Sequence, residues 1–186
     1  MNHISMSAYV HFCFDEKENT LLFEKCPIIK KDKHQYLYKP DDIVQTVYYI
    51  KKGTVKLFVP LPNGSNRTIS HQREGSIIGL VSSFSKLPSL CYCETIKPCE
   101  FLSCPIDVFW KRLQKYDLAF KYISLESKKA CLLQLRLAFA DSLEFVESVL
   151  EEGLTQQEIA DMMGYSRVQV ARICSQIKKR KTVKKS

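Results

Sequence analysis

Apolar and polar positions alternate in short runs between about residue 37 and residue 102, and turn residues separate the runs. The runs with β character are VYYI at 47–50, TVKLFV at 54–59, RTISH at 67–71 and LCYCETI at 90–96. Between the second and third runs, Asn63-Gly64 favours the positive φ angles of a tight hairpin. Short strands at this spacing predict an antiparallel sandwich or barrel of about 70 residues.

Helical spacing begins after Pro105, a residue that suits the first turn of a helix. In the stretch LAFKYISLESKKACLLQLRLAFA, apolar side chains recur at alternating steps of four and three residues. The positions of this stripe are Ala119, Ile123, Glu126, Ala130, Leu133, Leu137 and Ala140, of which Glu126 is a charged interruption. Such a stripe is typical of a dimerisation helix, with Ile123, Ala130, Leu133 and Leu137 at the contact. It fits equally well a helix that packs on the β domain of its own chain.

Two short helices joined by a tight turn are predicted in LTQQEIADMMGYSRVQVARICSQI, residues 154–177. Thr155 caps the first helix, and Glu158 three residues later completes a capping box. Gly164 ends this helix, because glycine adopts a left-handed conformation without steric cost. Ser166 caps the second helix, whose inward apolar residues are Val170, Ile173 and Ile177. The pattern predicts a helix-turn-helix, in which the second helix projects into a DNA groove.

The outward residues of this unit have the chemistry of DNA contacts. Arginine can donate two hydrogen bonds to guanine, and glutamine can pair with adenine in the same way. The N-terminus of the first helix offers free backbone amides to phosphate. The candidate DNA contacts are Thr155, Gln156, Gln157, Ser166, Arg167, Val168, Gln169 and Arg172. The alternative is an ordinary helical hairpin with a polar outer face.

Charge strengthens the DNA-binding interpretation because of where it lies. Residues 167–186 hold eight basic residues and no acidic one, whereas the other 166 residues hold 20 of each, so the whole net charge of +8 lies in this segment. A basic segment attracts a polyanion largely by releasing the counterions of its phosphates. Lys178 and Lys179 are therefore further candidate contacts, although a solvated basic tail without a partner has the same composition.

The remaining composition excludes other classes of protein. No stretch approaches the length of a membrane span, and the N-terminus lacks a secretion signal, so we expect a cytoplasmic protein with reduced thiols. The sequence contains no nucleophile elbow and no phosphate-binding glycine loop, and its four histidines are scattered, so we expect no enzyme.

Four of the eight cysteines are concentrated in one region and are Cys91, Cys93, Cys99 and Cys104. Cys91 and Cys93 are two residues apart on a predicted strand and point to the same face, where they could bind a metal or form a redox pair. The alternative is that they serve as small apolar residues in a β core, and we favour it because no CxxC pair or histidine partner is present.

Three segments together carry a wider similarity. VYYIKKGTVKLFVPLPNGSNRTISH, EGSIIGL at 74–80 and LTQQEIADMMGYSRVQVAR resemble the strands and hairpin, the glycine turn and the helix-turn-helix of one family. This is the bacterial cyclic-AMP receptor/fumarate-nitrate regulator family. The resemblance implies a jelly-roll sensor domain, a long helix that forms a homodimer, and a winged helix that reads a palindromic operator in double-stranded DNA. It also implies a small-molecule effector and RNA polymerase as partners.

The chain departs from this family where members hold their ligands. Those that bind cyclic nucleotides place a glutamate for the ribose and an arginine-serine pair for the phosphate after the glycine turn. The corresponding effector-pocket candidates here are Gly79, Leu80, Ser89 and Leu90. Leucine cannot replace the anion-binding arginine, so cyclic nucleotide is not expected as the ligand. An iron-sulfur cluster is not expected either, because only Cys13 and Cys26 lie near the N-terminus, where cluster-binding members have closely spaced cysteines.

Two departures concern DNA. Members that read the best-known operator have glutamate where this chain has Val168, which can touch a thymine methyl but cannot accept a hydrogen bond from cytosine, so a different operator is expected. Only nine residues follow Ile177, where the family adds a β-hairpin wing. The wing is therefore expected to be absent. Either it is lost without replacement, or the basic tail substitutes for it by contacting phosphate directly.

These observations predict an α+β protein with an N-terminal antiparallel β jelly roll, a long dimerisation helix and a C-terminal helix-turn-helix. The expected boundaries are 1–104 for the sensor domain, 105–142 for the connecting helices and 143–186 for the DNA-binding domain. The predicted function is a homodimeric, sequence-specific transcription regulator controlled by an unidentified small-molecule or redox signal. The alternative function is a shortened ligand-binding or dimerisation module with only non-specific affinity for nucleic acid.

Overall fold

The computed structural model describes residues 14–61, 64, 66–80, 85–139 and 143–183. The strands in these ranges are β1 (Ile28–Lys31), β2 (Tyr36–Tyr38), β3 (Thr46–Lys52), β4 (Thr54–Pro60), β5 (Asn66–Arg73), β6 (Ile77–Ile78), β7 (Tyr92–Thr95) and β8 (Cys99–Pro105). The helices are α1 (Glu16–Leu22), α2 (Ile106–Lys115), α3 (Ala119–Phe139), α4 (Leu143–Glu151), α5 (Gln156–Met163) and α6 (Arg167–Val183). Among the described residues, no helix combines the length and apolar character that a membrane crossing requires.

The β domain is a sandwich of two four-stranded antiparallel sheets, as the short alternating runs predicted. One sheet has the order β1-β8-β3-β6 and the other the order β2-β7-β4-β5. Ile50, Val55 and Phe101 are fully buried between the sheets, because alternate side chains of a strand point to opposite faces. The sandwich interior is therefore filled by side chains.

The β4–β5 hairpin is the longest paired region of the second sheet and forms its edge. Its register runs from Thr54 opposite Arg73 to Pro60 opposite Asn66. Gly64 in the connecting turn has a φ of +80°, which agrees with the predicted positive φ, whereas Asn63 lies outside the described residues.

Helices cover the outer face of the first sheet. Leu22 of α1, Phe109 and Leu113 of α2, and Tyr122 of α3 pack with Val47 in one apolar cluster. The Arg112 guanidinium on α2 holds the N-terminal segment in place by donating hydrogen bonds of 2.8 Å to the carbonyl oxygens of Leu22 and Glu24. The long helix is thus attached to the β domain through this cluster.

The C-terminal helices α4, α5 and α6 form a second core. Its buried members are Phe145, Val146, Val149, Leu154, Ile159, Ala160, Met162, Met163, Val170, Cys174 and Ile177. Gly164 joins α5 to α6 in the left-handed conformation, with a φ of +71°, so the predicted tight turn is confirmed. The three helices form a compact helix-turn-helix unit with an apolar interior of its own.

Gly79 marks the point where the chain leaves β6. Its φ is +86°, and a Cβ atom at this position would lie 2.7 Å from the carbonyl oxygen of Thr46. Gly64 has a similar φ of +80°, but a Cβ there would meet no atom within 4 Å. The two glycines therefore share a backbone constraint and differ in the space around them.

We expect Gly79→Ala to lower the free energy of unfolding more than Gly64→Ala does. Both substitutions incur the left-handed strain of about 1–2 kcal/mol, but only Gly79→Ala also forces a clash with backbone. Urea unfolding followed by circular dichroism gives both values. Equal losses for the two variants would show that the approach to Thr46 does not constrain this turn.

Candidate DNA-binding surface and effector region

The first helix of the helix-turn-helix begins with the predicted capping box. The backbone N–H of Thr155 donates to the Glu158 carboxylate at 2.8 Å, and the backbone N–H of Glu158 donates to the Thr155 hydroxyl at 3.2 Å. Burial raises the pKa of Glu158, but its carboxylate accepts hydrogen bonds from both the backbone N–H and the hydroxyl of Thr155. Together with the charges of His71 and Lys97, these two hydrogen bonds outweigh burial and lower the pKa of Glu158 below its ordinary value. The cap therefore holds an ionised carboxylate.

The other candidate phosphate contacts at this N-terminus are positioned differently from one another. Gln156 is half-buried, whereas Thr155 and Gln157 are exposed. The Gln157 side-chain amide donates to Asp161 at 2.8 Å, one turn along the helix. Its hydrogen-bonding capacity is thus partly used within α5.

Ser166 and Gln169 form a second capping box at the start of α6. The backbone N–H and the hydroxyl of Ser166 donate to the Gln169 side-chain oxygen at 2.8 and 3.0 Å, and the Gln169 backbone N–H donates to the Ser166 hydroxyl at 3.3 Å. Bidentate pairing with adenine needs both the oxygen and the nitrogen of a glutamine amide. Gln169 would have to leave the cap to read adenine, so its predicted role changes. The S-x-x-Q spacing carried this signal in the sequence.

Arg167, Val168 and Arg172 remain on the outer surface of α6. All three are exposed, and Val168 has 61% of its surface accessible. The opposite face of the helix buries Val170 and Ile177 in the core. The structure thus brings together two guanidinium groups and one apolar side chain on the surface that the sequence predicted.

The basic segment after this surface continues the recognition helix as far as Val183. Helix α6 runs without a break for 17 residues, and Lys178 and Lys179 are exposed on its continuation. In the described part of the chain, no strand follows this helix. Lys181 reaches back to α4 and contacts Glu147 and Glu151 at 2.8 and 3.3 Å. Sequence reasoning missed these two acids, because no local pattern links them to a lysine that lies 34 and 30 positions further along the chain.

Helix α5 packs along β5 of the β domain. The position of a Cβ on Gly164 is 3.7 Å from three side-chain atoms of Arg67, and the His71 and Lys97 charges act on Glu158. Basic side chains of the β domain therefore face an acidic side chain of the helix-turn-helix unit. This contact has no local sequence signal either.

Helix α3 has one face that packs on the β domain and another that is exposed. The two interpretations of its apolar stripe, packing on the β domain and dimerisation, each describe one of these faces. Tyr122 is buried against the β domain, and burial followed by the Glu126 charge raises its pKa. Phe120 and Ile123 are 81% and 55% exposed. Of the other predicted dimer contacts, Ala130 is exposed and Leu133 half-buried, and the Leu137 side chain lies outside the described residues.

Glu126 belongs to the face toward the β domain, which explains the charged interruption of the stripe. Its carboxylate is 2.6 Å from the ammonium of Lys129. The exposed face passes instead through Ser127, so that Phe120, Ile123, Ser127 and Ala130 follow one another at steps of three and four. Sequence analysis missed Phe120, because it placed Glu126 in the seam.

The four effector-pocket candidates do not form one pocket. Leu80 is only 4% exposed and packs in the apolar cluster under α3, whereas Leu90 is 86% exposed. Ser89 is buried, and its hydroxyl donates to the Cys91 carbonyl oxygen at 2.9 Å. Gly79 serves the backbone turn.

The space between the β domain and α3 is nearly closed. A cavity of about 10 Å³ lies there, lined by Phe14, Ile77, Leu80, Tyr122, Leu125, Glu126 and Lys129. This volume holds about one water molecule. A cyclic nucleotide does not fit these residues: the cavity is too small, and the only basic residue of the sequence between 76 and 90 is the exposed Lys86.

A larger cavity opens where the chain passes from β2 to β3. It has a volume of about 320 Å³ and is lined by Leu37, Tyr38, Asp42, Ile43, Val44, Gln45, Thr46 and Tyr48. Small-molecule sites commonly measure about 300–1,000 Å³. Sequence analysis did not select these residues.

The four candidate cysteines do not come together in one cluster. Cys91, Cys93 and Cys99 pack in or against the sandwich interior, whereas Cys104 belongs to the cluster under the helices. Burial raises the pKa of Cys91, Cys93 and Cys99, and it raises that of Cys104 to about 12, so these thiols are protonated at neutral pH. Among the described residues, no group of His, Cys, Asp or Glu could hold a metal ion. Cys26 accepts a hydrogen bond from Arg112, and Cys13 lies outside the described residues.

Known proteins resemble this chain in both sequence and fold. Residues 29–116 match the cyclic nucleotide-binding domain family. The global nitrogen regulator of Nostoc sp. is 25% identical to this chain in an alignment 182 residues long. The match includes 84% of this chain and 81% of that protein.

Two solved structures share the fold. The c-di-GMP responsive global regulator CLP of Xanthomonas campestris superposes with a TM-score of 0.70 and 16% identity, covering 89% of this chain and 93% of CLP. FixK2 from Bradyrhizobium japonicum gives a TM-score of 0.71 and 17% identity, covering 83% of this chain and 85% of FixK2.

The different positions of Leu80 and Leu90 predict opposite tolerance to charge. Leu80→Glu would bury a carboxylate in an apolar cluster and lower the free energy of unfolding by about 3 kcal/mol or more. Leu90→Arg changes an exposed side chain and should stay within about 0.5 kcal/mol of the wild type. Urea unfolding measures both. A tolerated Leu80→Glu would contradict the position assigned to Leu80.

Proposed function

We propose that this chain is a transcription regulator of the cyclic-AMP receptor/fumarate-nitrate regulator type, and that it acts as a homodimer that binds a palindromic operator through α6. In this role the chain regulates transcription and catalyses no reaction. Binding to bacterial DNA gives it a cytoplasmic place of action, and RNA polymerase is the expected partner of the bound dimer.

The observation that carries this proposal is the surface of α6. Arg167, Val168 and Arg172 are exposed on a capped helix whose other face is held in a core. The N-terminal residues of such a helix contact base edges in the major groove. Arg167 and Arg172 would donate to guanine or phosphate, and Val168 would contact a thymine methyl. Thr155 and Gln157 would lie against the backbone of the same half-site.

The exposed face of α3 supports the dimer. Phe120 and Ile123 present an apolar surface that the β domain of the same chain does not cover. Pairing of this face with its symmetry-related copy would bury both side chains and would place two recognition helices about one DNA turn, about 34 Å, apart.

A signal in the β domain would control the dimer. Helix α3 touches the β domain through Tyr122 and would touch the partner through Ile123, so a shift of the β domain reaches the dimer contact through one helix. A ligand acts here by preferring one of two arrangements of the recognition helices. The cavity beside Tyr38 and Tyr48 has room for a small molecule, whereas cyclic nucleotide is excluded by the residues around Leu80.

Arg167→Ala is expected to reduce the discrimination between operator and random DNA by about tenfold or more, because a bidentate arginine–guanine contact contributes about 1–3 kcal/mol of base discrimination. The measurement is fluorescence anisotropy with the promoter region of the protein's own gene and with a random duplex, in a salt series.

Lys178→Ala is the matched control for this variant. It removes one positive charge from the same helix, so it should weaken binding to both duplexes equally and lower the salt slope by about one. Discrimination that persists in Arg167→Ala would overturn the assignment of α6. A steep salt dependence without any sequence preference in the wild type would favour the alternative, a module with only non-specific affinity.

Ile123→Glu is expected to convert the dimer into a monomer, because it places two carboxylates within an apolar two-fold contact. Sedimentation velocity measures the change. Ser124→Glu adds the same charge to an exposed neighbour about a quarter turn away and should leave the dimer intact. A dimer that survives Ile123→Glu would place the subunit contact elsewhere.

A further inference from the structure

The recognition helix has two faces that can be followed along its whole length. Val168, Arg172, Ser175 and Lys179 follow one another at steps of four, three and four, and all are exposed. Val170, Cys174 and Ile177 follow the same steps on the opposite face and are buried. The next residue on the buried face is Lys181. A lysine therefore stands where the core of the unit ends.

The exposed face extends beyond the width of a DNA groove. Val168 and Lys179 are eleven residues apart, which corresponds to about 16 Å along a helix. The major groove is about 12 Å wide. When the N-terminus of α6 lies in the groove, Lys178 and Lys179 reach the level of the backbone that flanks the half-site. This continuation presents charge to phosphates and not to bases.

Repulsion between positive side chains lowers the helical stability of this end of α6. Lys178 and Lys181 are three residues apart, a spacing at which like charges on a helix repel each other. Helical order is nevertheless present through Val183. A compensating interaction is needed, although positive charge at a helix C-terminus is itself favourable with respect to the helix dipole.

Two carboxylates of α4 supply that interaction. The Lys181 ammonium lies 2.8 Å from a carboxylate oxygen of Glu147 and 3.3 Å from one of Glu151. Hydrogen bonding to Glu147, and then to Glu151, raises the pKa of Lys181. Glu147 and Glu151 are four residues apart and share one face of α4, so both can reach a single ammonium.

We propose that Glu147 and Glu151 are positioning residues that hold Lys181, keep the end of α6 helical and so present Lys178 and Lys179 to the phosphates flanking each half-site. This inference rests on the proposed binding of DNA. In this proposal, the clamp formed by Lys181, Glu147 and Glu151 orients the phosphate-binding end of the recognition helix.

The clamp predicts a change in DNA affinity opposite to the change expected from charge alone. Glu147→Gln/Glu151→Gln removes two negative charges near bound DNA, which by charge alone would tighten binding. If the clamp orients the helix end, the double variant instead weakens binding to operator and random duplex alike by about threefold to tenfold at about 0.1 M salt, and the salt slope falls by about one to two per protomer. Glu152→Gln, which removes a charge next to the clamp, serves as the control and should leave affinity unchanged or slightly higher.

Hydrogen exchange of the free protein provides a second readout that does not depend on DNA. The amides of residues 178–183 should exchange at least about tenfold faster in Glu147→Gln/Glu151→Gln, while those of α5 keep their protection. Binding as tight as the wild type, an unchanged salt slope or unchanged exchange in the double variant would overturn the clamp. Failure of the proposed function gives a different result: the wild type shows no preference for the operator, while the amides of residues 178–183 still exchange faster in the double variant than in the wild type.

Discussion

A helix can bury only one of its faces, and the face that α6 buries determines which side chains the C-terminal unit exposes. Val170, Cys174 and Ile177 lie in the core formed with α4 and α5. Arg167 and Val168 are exposed as a consequence of that rotation. The same rotation directs Lys181 toward the acids of α4. The recognition surface and its support therefore follow from one packing arrangement.

The long helix obeys the same constraint with a different outcome. Tyr122 anchors one face of α3 in the cluster that covers the β sandwich, and this leaves Phe120 and Ile123 exposed on another. One rigid element thus touches the β domain on one side and is available to a second subunit on the other. In the proposed dimer, a helix in this position would transmit a change in the β domain to the subunit contact without any change in its own conformation.

The β domain keeps the fold of a cyclic nucleotide-binding domain while its residues no longer fit such a ligand. Leu80 is packed under α3, and an ion pair between Glu126 and Lys129 borders the small space beside it. The sandwich is held together by side chains such as Ile50 and Phe101, which lie away from this region. The fold can therefore persist when the site chemistry changes, because core packing and ligand contacts depend on different residues.

Local patterns in the sequence determined much of this protein. The alternating strands, the positive φ of Gly64, the capping box of Thr155 and the turn at Gly164 are each set by residues within a few positions of one another, and the structure confirms them. Other features needed the tertiary structure. The S-x-x-Q spacing of the cap at Gln169 is visible in the sequence, but the hydrogen bonds that engage its side chain are seen only in the folded chain. Arg67 contacts the turn at Gly164, and Lys181 is held by acids of α4, so both interactions join residues far apart in sequence. The direction of Glu126 toward the β domain depends on how α3 is rotated in its core. Periodicity shows that a helix has a buried face, but its partner is chosen by long-range packing, which no short segment encodes.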